Sequence, residues 1–284
     1  MDGLTTVIFP VAGLGTRMLP ATKATPKELL PVYDTPLLQF ALDEAIAAGA
    51  KRVVLVSHPD KSAIEDYLTS APALEESLTR KGKADLLRAL RATCLPDGVD
   101  LRVVHQPEPL GLGHAVLCGA EAVLPGPVGV ILPDDLILGD PCLAEMAAAF
   151  RPGEMRSLTA AQEVPAGQVD RYGIFACPPG APGEAIPCTA FVEKPAIADA
   201  PSRLAAVGRY ILDAAVFDVL RDTGKGAGGE IQLTDAIARM GGIHAFRFSG
   251  TRYDCGGKDG LVEATLAVQA LRRGAAGRPR IAAE

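Results

Sequence analysis

Between Ala12 and Pro31 the chain reads AGLGTRMLPATKATPKELLP, placing Arg17, Lys23 and Lys27 behind a turn built on Gly13 and Gly15. Three cations so close in sequence can converge on one polyphosphate, and glycines let backbone N–H groups approach the same anion. Prolines at 20, 26 and 31 restrict the backbone and reduce the entropy lost when those side chains are ordered. The loop is neither of the common nucleotide motifs. Met18 stands where a dinucleotide fingerprint needs its third glycine, and no Gly-Lys-Ser/Thr follows the turn as a Walker loop requires. An anion-holding loop of another kind is the expectation, with a solvated basic loop as the alternative.

Carboxylates stand further along. LPDD, Leu132 to Asp135, follows the apolar run VGVI, which puts Asp134 at the carboxyl end of a strand, where open α/β sheets bind ligands. Asp135 reads as a cap or turn residue. In VEKP, Glu193 and Lys194 would face opposite sides of a continuing strand, so Pro195 points to an ending there. Together they are either ligand contacts or a surface ion pair. The four histidines, His58, His105, His114 and His244, sit apart from any Ser/Asp or metal pattern and read as core or surface residues.

The elements that must position these groups begin with a βαβ unit over residues 5 to 57. A strand through Val7, Ile8 and Phe9 leads by way of the loop to a helix, with Thr35 as its cap and Pro36 at its first position. Leu38, Ala41, Leu42, Ala45 and Ile46 form its apolar stripe, and Gly49 ends it. The strand RVVLVS, Arg52 to Ser57, follows. A glycine turn that feeds a helix would add backbone N–H groups for a phosphate. The alternation continues through a polar helical region from Ser62 to Ala92, a strand in VDLRVVH, a helix near Gly113 and the strand VGVIL. From Leu158 the pattern turns strand-rich, through YGIFAC, CTAFVEK and VGRYIL, before helices return near Ala214 and Glu230. A mixed sheet, parallel with an antiparallel addition, is predicted, with a frayed tail over the last dozen residues.

A chain of 284 residues can bury a sizeable core. Its 28 basic against 34 acidic residues, a net charge of -6, exclude a nonspecific nucleic-acid binder. The six cysteines form no CxxC pair and are expected to be reduced and mostly packed. No apolar stretch approaches the roughly 18 residues that span a bilayer, and no signal peptide is evident, so no membrane association and a cytoplasmic location are expected.

Several blocks in order carry a family resemblance: AGLGTRMLPATKATPKELLPV, QPEPLGLGHAVLC, LPDD, YGIF, VEKP, VGRYIL, GGEIQLTDAI and RYDCGGK. Over residues 5 to 271 the chain resembles the sugar-nucleotide pyrophosphorylases, and most closely the bacterial UTP–glucose-1-phosphate uridylyltransferases. The resemblance implies an α/β fold of the nucleotide-diphospho-sugar transferase type: a Rossmann-like mixed, mostly parallel sheet flanked by helices, with antiparallel additions in the C-terminal half. It implies one nucleotidyltransferase domain over residues 1–272, with a nucleotide-binding part over about 1–135, a sugar-binding part over about 136–272 and a flexible tail over 273–284. The implied reaction is attack of the glucose 1-phosphate phosphate on the α-phosphorus of UTP, giving UDP-glucose and pyrophosphate without a covalent enzyme intermediate. Such a displacement needs alignment of two anions and charge stabilisation, for which cations and Mg²⁺ serve.

By the same resemblance Arg17 and Lys27 act on UTP, Lys194 contacts the sugar phosphate, Glu193 accepts hydrogen bonds from glucose hydroxyls, and Gly173 offers a backbone contact to the hexose. A β-bulge is the other reading of Gly173. Asp134 and Asp254 match the metal-binding aspartates. Gln106, the backbone around Ala12 and Gly13, and Gly111 match the uracil contacts, with Gly15 in the phosphate loop. Glu230 and Gln232 lie near the sugar site or subunit contacts, without individual roles. A homodimer or homotetramer is implied. A thymidylyltransferase on the same fold and a noncatalytic UDP-glucose sensor are competing readings, and an NAD(P)-binding oxidoreductase is disfavoured by Met18.

Overall fold

A computed structural model describes residues 3–276. The βαβ unit forms as its apolar pattern requires. Strand β1 (Thr6–Pro10) pairs in parallel with β2 (Arg52–Ser57), and the helix between them is α1 (Leu37–Ala47). Val7 and Phe9 pack on the face that α1 covers, while Ile8 packs on the other. This is the alternation of a strand buried on both sides. Strands β3 (Asp100–His105) and β4 (Val128–Ile131) extend the parallel set on either side, giving the order β4-β1-β2-β3.

Beyond β4 the sheet becomes mixed. After β5 (Asp135–Leu138), the chain adds β6 (Ser157–Glu163), β7 (Gly173–Ala176), β8 (Ala185–Pro187), β9 (Ala190–Glu193), β10 (Leu204–Leu212) and β11 (Ile243–Arg247). β10 runs antiparallel to both β4 and β6 and joins the two halves, and the full path reads β8-β11-β6-β10-β4-β1-β2-β3. β7 and β9 form an antiparallel pair that attaches to β10 off this path. A separate two-stranded ladder pairs β5 with β12 (Thr251–Asp254), setting Asp135 opposite Asp254.

Helices cover both faces. With α1, α6 (Cys142–Ala149) buries Leu143 and Met146 on one side. On the other lie α5 (Leu112–Cys118), α7 (Val216–Arg221) and α8 (Leu233–Met240). The polar helical region resolves into α2 (Ser62–Leu68), α3 (Pro72–Arg80) and α4 (Ala84–Arg91). Ile64 and Leu68 anchor α2, whereas α3 and α4 bury no residue. The last helix, α9 (Lys258–Ala276), packs Ala264 and Val268 against Leu37 and Leu136. Among the described residues no helix is long and apolar enough to cross a membrane. All six cysteines are free, with Cys142 and Cys255 buried and the others half-buried.

Three expectations need correction. Thr35 does not cap α1. Pro31 and Val32 pair with Thr35 and Pro36 in a short antiparallel ladder, the Thr35 hydroxyl donates to Asp34, and the helix starts at Leu37 with Pro36 preceding it. The glycine turn does not feed a helix either, because short 3₁₀ turns occupy Thr16–Met18, Ala21–Lys23 and Lys27–Leu29. The frayed tail was placed from residue 273, but α9 continues through Ala276; the rest of that segment, 277–284, lies outside the described residues.

One buried ion pair ties these layers together. Glu44 interrupts the inward face of α1, and its carboxylate receives Nε and NH2 of Arg209 on β10 at 2.9–3.0 Å and the backbone N–H of Leu143 at 2.9 Å. Arg209 is 1% exposed, and its remaining NH1 donates to the carbonyls of Leu132 and Gly208, each at 3.1 Å. Breaking such a pair leaves an uncompensated buried charge. Glu44→Ala should therefore destabilise the protein by about 3–5 kcal/mol in urea unfolding, and adding Arg209→Met should recover most of that loss. A single-variant cost near zero would show that the pair does not hold the layers.

Candidate active site

The site begins with the loop after β1. Gly15 adopts φ 63°, and a Cβ there would lie 3.2 Å from the Cβ of Lys27, so glycine lets the two ends of the loop pack against each other. Lys61, just ahead of α2, donates to the carbonyls of Val11 (2.7 Å) and Gly13 (2.5 Å) and to Glu28 (3.1 Å). With those carbonyls committed to Lys61, the loop's N–H groups are what it can offer an anion. Glu28 is wholly buried. Burial raises its pKa against the opposing charges of Lys61 and Lys27.

Asp134 lies between β4 and β5, at the strand end the sequence indicates. Its Oδ2 accepts from Lys27 Nζ at 2.6 Å and lies 3.8 Å from Arg17. Burial is the largest influence on each and opposes its charge, but it is outweighed by the neighbours together: Asp134 and Glu28 for Lys27, and Lys27 and Arg17 for Asp134. The Asp134 carboxyl is held below its ordinary range and the Lys27 ammonium above its own.

The surrounding backbone is fixed from three directions. Cys255 N–H donates to the Asp134 carbonyl at 2.8 Å, Arg209 holds the Leu132 carbonyl, and the Leu132 N–H reaches Gly208 O at 2.8 Å. Asp135, expected as a cap or turn residue, instead opens β5, lines the larger cavity described below and makes tertiary contacts. It accepts from Gly208 N–H (2.9 Å) and from Arg252 Nε (2.6 Å), and Arg252 in turn lies over the Tyr172 ring. A Cβ on Gly208 would meet Leu132 at 2.6 Å, so the block VGRYIL owes its glycine to this close approach.

Two cavities adjoin at Asp134. One, of about 480 Å³, is lined by Arg17, Gly173, Glu193, Lys194 and Asp254, among others. The second, of about 370 Å³, is lined by Ala12, Gly13, Lys27, Gln106 and Gly111, among others. They share Leu112, Leu132 and Asp134, of which only Asp134 is charged. The structure thus gathers the candidate residues with two exceptions. Gly15 lines neither cavity and serves the loop's packing, and Lys23 is exposed and lines neither.

Glu193 and Lys194 illustrate how an ending strand brings adjacent side chains together. β9 stops at Glu193, and Lys194 takes φ 45°, which turns its side chain into the same cavity. The two are ion-paired at 3.2 Å, and Thr234 donates to the other Glu193 oxygen at 2.7 Å. Gly173 is no bulge. It stands in regular register opposite Glu193, where a Cβ would strike the Phe191 ring at 2.7 Å. Gly111, at φ 108°, lies beneath Glu230 and Ile231, and a Cβ would come within 2.8 Å of both. Of that overlying segment, Glu230 lines the smaller cavity and Gln232 the larger.

Sequence reasoning missed Lys61, Glu28, Glu44, Arg209 and Thr234. Glu44 and Arg209 left a readable trace, a charge on the inward face of an apolar helix and another inside an apolar strand. Lys61 left none, because its partners are backbone carbonyls some 48 to 50 positions away in the chain.

Comparison with known proteins places the chain in a family. The family model described as nucleotidyl transferase matches residues 6–270. The chain is 44% identical over 270 residues to the UTP–glucose-1-phosphate uridylyltransferase of Haemophilus ducreyi, covering 91% of this chain and 90% of that protein. It superposes with a TM-score of 0.86 on a UTP-bound UGPase from Acinetobacter baumannii, at 36% identity and covering 97% and 100% of the two chains. A UDP-glucose pyrophosphorylase complexed with UDP-glucose gives a TM-score of 0.81 at 37% identity, covering 95% and 100%.

The Lys27–Asp134 pair has a pH signature. In the wild type the depressed Asp134 pKa contributes stability that is present above the ordinary carboxylate value of 3.8 and lost as pH falls through the lower folded-state value. Lys27→Met leaves the carboxyl to burial, which raises its pKa, so the variant loses stability as pH rises through the carboxylate range. Urea unfolding should show a gap between the two proteins that is small near about pH 4 and grows to about 2 kcal/mol by about pH 7.5. A gap of equal size at both pH values would rule out the ion pair as its source.

Proposed function

The chain belongs to the nucleotidyl transferase family, and from that premise we propose that it transfers the uridylyl group of UTP to glucose 1-phosphate, giving UDP-glucose and pyrophosphate. The observation that carries this reading is the meeting of two cavities over one fixed carboxylate, with Lys27 and Arg17 beside it. A nucleotide in the smaller cavity and a sugar phosphate in the larger would bring their phosphates together at Asp134, which is the alignment a direct displacement needs.

In this reading Lys27, Arg17 and the loop's N–H groups hold the UTP phosphates, and Ala12, Gly13, Gln106 and Gly111 surround the base. Glu193 accepts from sugar hydroxyls, braced by Thr234, and Gly173 permits close approach of the hexose. Lys194 takes the sugar phosphate. Charge at the α-phosphorus is met by cations already held in place, so little reorganisation accompanies the reaction.

A divalent cation fits the chemistry of the donor set, and we assign it as Mg²⁺. Among the described residues no cluster of three or more His, Cys, Asp or Glu is placed to form an all-protein cage, whereas Asp134 and Asp254 line one cavity. Magnesium characteristically takes one or two carboxylates and completes its shell with phosphate oxygens and water. When bound it would neutralise charge on the phosphates. Asp134 and Asp254 would hold it.

The division of labour is part of the proposal: one domain over residues 1–272, the nucleotide held by about 1–135 and the sugar by about 136–272. The lining of the smaller cavity supports it, since apart from Glu230 that lining comes from residues 10 to 134. We also propose a dimer or tetramer, supported by Val262, Leu266 and Leu271, which are exposed on α9.

The test is pyrophosphate release by the purified protein with Mg²⁺, across nucleoside triphosphates paired with sugar 1-phosphates. UTP with glucose 1-phosphate should give the highest kcat/KM. Asp134→Asn and Lys194→Ala should each lower it by about a hundredfold or more, corresponding to about 3 kcal/mol of lost transition-state stabilisation. Undiminished turnover in Asp134→Asn would refute the site, and preference for another pair would refute the substrate assignment.

A further inference from the structure

Gln106 has a neighbour that the reaction itself does not require. The glutamine is 6% exposed, and its amide nitrogen makes two contacts: Nε2 donates to the Gly111 carbonyl at 3.1 Å and lies 3.0 Å from Nδ1 of His114 on α5. An amide nitrogen carries two hydrogens and no acceptor, so the second contact is a hydrogen bond only if His114 Nδ1 is unprotonated. The other ring nitrogen fits that tautomer. Cys118 Sγ, a weak acceptor, lies 3.8 Å from Nε2 and 4.0 Å from Nδ1, so an Nε2–H has a partner at hand.

Both donors of the Gln106 amide are thereby committed within the protein. Turning the amide over would set its oxygen against the Gly111 carbonyl and the His114 lone pair, two repulsive contacts in place of two hydrogen bonds. What Gln106 presents to the cavity it lines is its oxygen alone, an acceptor without a donor. Among pyrimidines, uracil and thymine carry a hydrogen on N3, whereas N3 of cytosine is an acceptor.

We propose that His114 is a positioning residue that determines base specificity: its Nδ1 lone pair fixes the Gln106 amide with Oε1 toward the nucleotide, so that the pocket accepts a pyrimidine bearing an N3–H and rejects cytosine. The proposal rests on the uridylyl-transfer reading for the identity of the cavity's occupant. The discrimination is of the strong kind, since a mismatched base would leave a buried acceptor facing another acceptor. His114 touches neither phosphate nor sugar, so its effect falls on choice of base.

Two measurements test this. Nitrogen-15 NMR of histidine-labelled wild-type protein at neutral pH should show His114 as the neutral Nε2–H tautomer; an Nδ1–H tautomer would overturn the proposal without reference to activity. Steady-state kinetics with UTP and CTP, each with glucose 1-phosphate, should show the UTP to CTP ratio of kcat/KM falling by about tenfold or more in His114→Leu, the worth of about one buried hydrogen bond. His114→Asn, whose Oδ1 restores an acceptor near the position of Nδ1, should keep the ratio within about threefold of wild type. Equal loss for both nucleotides in His114→Leu, or an unchanged ratio in a folded variant, would overturn the specificity role. Should His114→Leu fail to fold, the tautomer and the His114→Asn ratio decide. A wild type that does not use UTP would refute the assigned reaction, while the tautomer would still report whether His114 fixes the amide.

Discussion

A carboxylate shared by two cavities can serve the proposed transfer only if its backbone stays fixed, and the Glu44–Arg209 pair supplies that constraint. Glu44 fastens α1 and the start of α6 to Arg209, and Arg209 hands the restraint on to the Leu132 carbonyl, two residues before Asp134. An arginine suits this place. Its planar fork satisfies a carboxylate with two nitrogens and still has a third for backbone carbonyls. Buried ion pairs contribute little net stability compared with apolar packing of equal volume, whereas the directed hydrogen bonds of this one tie the strand end to α1 and α6. Gly208 and Asp135 complete it by locking β10 to the LPDD segment.

On this fixed point the charges are arranged in advance. Lys27 is drawn to Asp134 and Lys61 to Glu28, so the loop after β1 is folded around two ion pairs. One pair faces the cavities and the other is buried under the loop. Lys61 collects two of the loop's carbonyls, and the positive charge beside Asp134 comes from side chains. In the larger cavity the same economy appears in the β7–β9 pair. There an ending strand and one left-handed residue place Glu193 and Lys194 in a single cavity.

Much of this was legible in the sequence, and the limits follow from what sequence encodes. Short, continuous apolar runs marked β1, β2 and β4, because a strand buried on both faces needs apolar residues at successive positions. Asp134 was legible because it follows such a strand directly. The β9 ending was legible because Pro195 cannot continue the ladder. Thr35 misled because a cap and a short ladder use the same residue types, and only the pairing of Val32 with Thr35 decides between them. Gly111 and Gly208 could be read as special but not why, since the atoms that exclude a side chain there come from Glu230, Ile231 and Leu132. Lys61 was illegible for the same reason. Partnerships with distant backbone leave no local pattern.

The central claim is that the two substrates react directly with each other across Asp134, with the protein supplying alignment and charge and no nucleophile of its own. The stereochemical course at the α-phosphorus tests this most directly. With a P-chiral α-thio analogue of UTP and glucose 1-phosphate as substrates, a single in-line displacement predicts inversion of configuration in the nucleotide sugar product. Net retention would require two displacements, and hence a covalent uridylyl-enzyme, and would contradict the account.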